Sequence, residues 1–157
     1  MKKIVYHSSW VLALAMGVVT IAISFPFYRE IDAMVYRAQV SADAGKMADR
    51  LDETLANMER YGVTQGHAAL IFHSPENDVA LDYEALRDLR DRASGISTLD
   101  RLSVEYQTAL DDMRGTLREI TVDAWYYALI RQPSLWVAWV LTVLWCVMFF
   151  TSWSSDY

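Results

Sequence analysis

The chain has 157 residues, of which 54% are hydrophobic and 22% charged, with a formal net charge of −6. The charges are segregated: residues 29–131 hold 12 basic and 19 acidic residues, a net −7, which disfavours nucleic acid or an anionic lipid surface as the partner of this stretch. The single cysteine, Cys146, excludes an intramolecular disulfide, and the length argues for one domain.

Residues 1–9 read as a cytoplasmic tail, because Lys2 and Lys3 orient the chain by the positive-inside rule; His7 is expected at the interface. Residues 10–28, WVLALAMGVVTIAISFPFY, are an uncharged run of 19. As a helix such a run rises roughly 29 Å, the hydrocarbon thickness of a bilayer. In lipid the backbone must satisfy its own hydrogen bonds, so the run is predicted as a first transmembrane helix. A cleaved leader also fits Met-Lys-Lys and the small residues Ala22 and Ser24, but continuation through Phe25, Pro26 and Phe27 favours a retained anchor. Pro26 should kink or narrow this helix near its outer end. Ala13, Gly17, Thr20 and Ser24 form a small-residue face that lets another helix approach closely.

From 29 to 60 apolar residues recur at threes and fours (Ile31, Val35, Ala38, Ala42, Gly45, Ala48, Leu51, Leu55, Met58), which predicts one long helix ended by Gly62. Residues 62–74, GVTQGHAALIFHS, break that periodicity and place Leu70, Ile71 and Phe72 between His67 and His73. Over so few residues a strand, a tucked loop and a short helix are equally consistent. Ser74 and Pro75 open a shorter helix that Gly95 should end. Ser97 is the expected cap of a third, long helix carrying Leu99, Leu102, Tyr106, Ala109, Met113, Leu117, Ile120, Ala124 and Tyr127 on one stripe.

Two helices of about 33 residues, roughly 50 Å each, then have to run antiparallel, one leaving the membrane and one returning. Pairing positions whose numbers add to about 161 sets Ile31 against Ile130, Gly45 against Thr116 and Leu55 against Tyr106. Gly45 and Ala42 would mark the closest approach, and residues 62–95 would stand at the far tip. Two helices make a thin core, so the shorter helix, a second copy or a partner should cover it. Residues 133–153 follow Pro133 and contain a second uncharged run, 135–153, predicted to span the membrane. Ala138, Thr142 and Cys146 repeat the small-residue spacing, and Trp10, Tyr28, Trp136 and Trp153 sit at the ends of the runs as interfacial belts require. Trp139 and Trp145 lie deeper, where a partner, pigment or quinone would meet them, or else plain packing against lipid and helix. Residues 154–157 complete the chain as a second cytoplasmic tail, with no signalling module expected there.

The expected architecture is an all-α membrane protein of the inner membrane: two transmembrane helices enclosing an extracytoplasmic antiparallel helical hairpin (29–132) with a short third helix. In outline it resembles the sensor half of bacterial chemoreceptors, in shape and without a shared motif. His67 and His73, with Glu76 and Asp78 nearby, match no zinc or haem spacing, and the chain carries no phosphate loop or nucleophile elbow. Neither span holds an ionisable side chain other than Cys146, which argues against a proton relay or transport path. No catalysis, cofactor or metal is expected. The function read from this is an accessory subunit that docks onto a larger membrane assembly or onto its own copies. Its candidate contacts are His67, Leu70, Ile71, Phe72 and His73 at the tip, Trp125, Tyr126 and Tyr127 above the membrane, and Trp139 and Trp145 within it. The alternative is a dimeric ligand-sensing ectodomain with its pocket near 67–73.

Overall fold

The computed structural model describes the backbone of residues 2–154 and the side chains of 10–148. The expectations placed on the side chains of Lys2, Lys3, His7 and Trp153 and on residues 155–157 lie outside the described residues. The chain is all-helical: α1 (Lys2–Phe27), a wide π turn (Tyr28–Asp32), α2 (Ala33–Gln39), α3 (Ala44–Tyr61), a 3-10 turn (Pro75–Asn77), α4 (Val79–Ile96), α5 (Val104–Glu119), α6 (Ala124–Ile130) and α7 (Pro133–Ser154).

Pro26 does not break α1. The helix passes through it, and a wide turn follows at Tyr28–Asp32. Trp10–Gln39 is therefore one continuous helix, with mean hydropathy 2.1 in its apolar window, long and apolar enough to cross a membrane. The other end of the chain reaches that standard only as a bent pair, Val104–Ile130 with Pro133–Met148, turned through 69°. The structure thus holds one or two candidate membrane helices. Their small-residue faces are where they pack. Ala13, Gly17, Thr20 and Ser24 in α1, and Ala138, Thr142 and Cys146 in α7, are half-buried or buried while most of their neighbours are exposed. The Trp139 indole N–H donates to Thr20 Oγ1 at 3.0 Å across that contact.

The middle of the chain departs from the two-helix hairpin. The first long stripe is interrupted at 40–43, where the chain reverses. Asp43 caps α3 by accepting from the Lys46 amide at 2.9 Å, and this bond, with Arg101 and Lys46 nearby, holds its carboxyl below the usual range. α3 then runs back toward α1: the Phe27 and Tyr61 rings lie 4.6 Å apart, Arg60 pairs with Glu30, and the Asn57 amide donates to Glu30 O at 2.8 Å. Gly62, at φ +67, ends it as expected. α4 starts beside that end and is antiparallel to α3, with Tyr83 Oη donating to Glu59 at 2.6 Å and Arg90 to Asp52 at 2.6 Å. The charges of 87–92 therefore tie helices together, since Arg92 also reaches Asp112 on α5 at 2.7 Å.

Ser97 closes α4, which runs through Gly95, and the cap of the next helix is Ser103, accepting from the Tyr106 amide at 3.1 Å. α5 descends from there. The result is an up-down-up-down four-helix bundle made by the end of α1 with α2, then α3, α4 and α5. Its helices of 16 to 18 residues give it a height of about 27 Å, half that of the expected hairpin.

The pairing expected for the two long stripes is replaced accordingly. Tyr106 meets Ala44, whose amide donates to its hydroxyl at 2.8 Å, rather than Leu55. A Cβ on Gly45 would touch Ser97 at 4.0 Å rather than Thr116, and Ala42 is exposed. Most of the stripe residues do form the core, but Leu99 and Leu102, expected on the third stripe, are exposed because the chain turns at 97–103 before α5 begins, and Leu110 is buried in place of the expected Ala109. Ile31, Val35, Met47, Leu51, Met58, Val63, Leu86, Leu110, Met113 and Leu117 are all buried in one cluster, with Met47, Met58 and Met113 as packing residues.

Candidate interaction site

Two ends of the bundle differ in kind. At the near end, from which α1 and α7 leave, the loop 62–74 is held against α6. The Tyr127 hydroxyl donates to Gln65 O at 2.7 Å, and Arg131 donates to Gly62 O and to Tyr127 Oη, both at 2.8 Å. Gly66 sits at φ +98, a backbone conformation that favours glycine, and a Cβ there would come into contact with Tyr127 at 3.7 Å. The loop predicted at the far tip is therefore at the opposite end, because α3 returns the chain to α1 before the loop begins. Tyr127 is buried and serves as the peg for this loop, not as a free contact.

The loop's neck is closed by an isolated bridge between His67 and Asp78, with Ala68 N donating to Asn77 O at 2.7 Å and Val79 N to Gly66 O at 2.9 Å. His67 and His73 stack, rings 4.3 Å apart and 14° from parallel, and His67 Nε2 lies 4.0 Å from Asp78. Among the described residues no group of three or more His, Cys, Asp or Glu is arranged to hold a metal ion. Beyond the histidines Leu70, Ile71 and Phe72 are exposed, Phe72 by 83%.

Beside this loop the two strands of chain that lead to the apolar helices are joined. Asp32 accepts from the Ala124 amide at 3.0 Å and the Trp125 amide at 3.3 Å, so a carboxylate from the first helix caps α6 across a separation of 92 residues. It does so because Asp123, the residue in the capping position, is in the left-handed region (φ +49) and makes no cap bond of its own. A groove of ≈ 290 Å³ opens next to the cap, lined by Tyr28, Asp32, Tyr36, Arg118 and Trp125 among others. Trp125 is exposed and its ring tilts against Tyr126 at 5.7 Å. In the apolar pair Trp139 is used in packing, while Trp145 is exposed on the surface of α7. Sequence reading missed Asp32, Arg131 and the turn at 40–43. Only the turn left a local signal, in Asp43 standing as a cap inside an alanine-rich run.

Asp82 on α4 is half-buried, and burial, followed by the charges of Asp123 and Asp78, raises its carboxyl to about 6. The folded state holds this proton more tightly than the unfolded chain. The stability it contributes is full below about 4 and is lost as pH rises through about 6. Asp82→Asn should accordingly raise the melting temperature at pH 7.5, with the gain shrinking toward zero at pH 4.5. A gain that is the same at both pH values would show that the carboxyl does not titrate in this window.

At the far end the turns 40–43 and 97–103 meet, with Arg101 3.8 Å from Asp43. Val40, Leu99, Leu102 and Val104 are exposed there, Leu102 by 90% and Val104 by 80%. Fold and surface together define an all-helical protein with at least one candidate membrane helix, a packed four-helix bundle and two exposed apolar ends. No family model, curated protein or solved structure matches the chain.

Proposed function

We propose that the protein is a non-catalytic membrane subunit whose bundle docks onto a larger membrane assembly through its far end. The observation that carries this reading is the exposed apolar set Val40, Leu99, Leu102 and Val104, at the end opposite the apolar helices. A packed core supports it, since Met47, Leu51, Leu86, Leu110 and Met113 are all fully buried inside the bundle. In this reading α1 and α7 both span the bilayer, packed through Thr20 and Trp139, and the bundle lies outside with both termini in the cytoplasm. A cysteine at Ser97, on the far end, should then react with an impermeant reagent in intact cells; reaction only after lysis would invert the topology. The docking itself is tested with Leu102→Asp combined with Val104→Asp. The pair should keep the chain membrane-inserted and helical while abolishing its stoichiometric co-purification with a partner complex from gently solubilised membranes. A parent chain that isolates alone, or an unchanged complex in the double variant, would refute docking by this end.

The groove beside Asp32 favours a second reading, a ligand-sensing ectodomain that signals through a separate chain. Its aromatic walls, the carboxyl groups of Asp32 and Asp123, and Arg118 suit a small amphipathic molecule. A free homodimer whose melting temperature rises with such a ligand, and falls back in Arg118→Ala, would favour it over the first.

A further inference from the structure

We infer that the loop tip Leu70, Ile71 and Phe72 is a third membrane contact, an interfacial anchor that seats the near end of the bundle on the bilayer crossed by α1 and α7. The inference rests on the proposed membrane topology. Its first support is position. Tyr127 and Arg131 pin the loop at Gly62 and Gln65, and α7 begins at Pro133, two residues past Arg131. On the other side Tyr61, where α3 ends, packs against Phe27, the last residue of α1, with the rings 4.6 Å apart and tilted by 38°. The loop thus leaves the bundle at the level where both apolar helices leave it.

Its second support is charge. Residues 62–74 contain no Asp, Glu, Lys or Arg, in a segment that otherwise carries 12 basic and 19 acidic residues over 29–131. The acidic bundle as a whole has no electrostatic reason to approach lipid headgroups. An uncharged apolar tip can do so without crossing that field, and its affinity comes from area removed from water. Its third support is conformation. Leu70, Ile71 and Phe72 are exposed by 51%, 72% and 83%, and the loop beneath them is built rather than slack. The His67–Asp78 bridge closes the neck, the two imidazoles stack, and the Asn77 side chain donates to Phe72 O at 2.9 Å and accepts from Ser74 N at 3.1 Å. A short, stiff, uncharged loop ending in Leu-Ile-Phe beside two apolar helices fits the interfacial region of a bilayer, where a folded tip partitions with little further ordering.

The test uses the full chain in a Cys146→Ser background, reconstituted into phosphatidylcholine vesicles. A single cysteine at Phe72, Leu102 or Val18 carries an environment-sensitive fluorophore. The Phe72 label should be blue-shifted, quenched severalfold by lipids brominated near the headgroup, and protected from aqueous iodide. The Leu102 label, at the other end of the bundle, should respond to iodide alone. Val18, on an exposed face of α1, reports the span itself and should be quenched by lipids brominated deep in the chain. A Phe72 label open to iodide beside a lipid-quenched Val18 label would overturn the anchor and leave the topology standing. A Phe72 label that is blue-shifted but untouched by brominated lipid would assign the tip to a protein partner, which also overturns it. Loss of lipid quenching at Val18 as well would remove the membrane topology and the anchor together.

Discussion

Replacing Leu51 by alanine should cost the bundle about 3 kcal/mol, from lost transfer energy plus the cavity left behind. Leu51 is fully buried near the middle of α3, with Met47, Leu55 and Met58 on the same stripe, and Asp52 next to it is clamped by Arg90 of α4. The void would lie among fully buried neighbours of α3 such as Met47 and Met58. Urea unfolding of the detergent-solubilised chain, followed by near-ultraviolet circular dichroism, would measure the loss. Leu102→Ala, at an exposed position of the far end, should shift the same curve by less than about 0.5 kcal/mol. Similar small losses for both would mean that the bundle core is much looser than its packing implies.

The second large effect is expected at Asp32. Asp32→Ala removes the acceptor for the amides of Ala124 and Trp125, and Ala124 is fully buried, so an unpaired donor would be left there at a cost of about 1–3 kcal/mol. α6 has only seven residues and cannot hold its first turn by propensity. The loss should therefore be local before it is global. Amide exchange at Ala124 and Trp125 should accelerate strongly while the core amides of α3 and α4 stay protected. Because α6 carries Tyr127 and is followed directly by Arg131, the pegs of the loop 62–74, that loop should loosen too. Asp32→Asn keeps an acceptor oxygen and should recover part of the protection. Unchanged exchange in Asp32→Ala would show that Asp123 or water takes over the cap.

Both predictions depend on features of different visibility. Leu51 could be picked from the sequence, since its stripe of apolar residues at threes and fours is a local pattern that any folded helix has to bury. Asp32 could not. Its role depends on a helix that begins 92 residues later and on the left-handed backbone at Asp123. The loop 62–74 shows the two cases side by side. Its break in periodicity and its exposed Leu-Ile-Phe run were legible, yet it was expected at the wrong end of the molecule.

The sequence by itself determined the all-helical class, the apolar run of α1, the small-residue faces through which α1 and α7 pack, and most residues of the core stripes. These depend on hydropathy and on a period of 3.6, and both are local. The same pattern placed Ala42, Leu99 and Leu102 inward, where the structure exposes them, and it missed Leu110. Only the tertiary structure decided how many helices the bundle has and which end of it the loop occupies. The reason is arithmetic in the chain. The reversals at 40–43 and the break at 120–123 are each four residues long, about one helical turn. An interruption of that length leaves the spacing of Ala38, Ala42 and Gly45, or of Leu117, Ile120 and Ala124, in phase with a continuous helix. Periodicity therefore passes unbroken through a turn that sends the chain back on itself. What chooses the reversal is the packing it permits: four short helices enclose Met47, Leu51, Leu86, Leu110 and Met113 on all sides, whereas two long ones would leave half of that stripe in water.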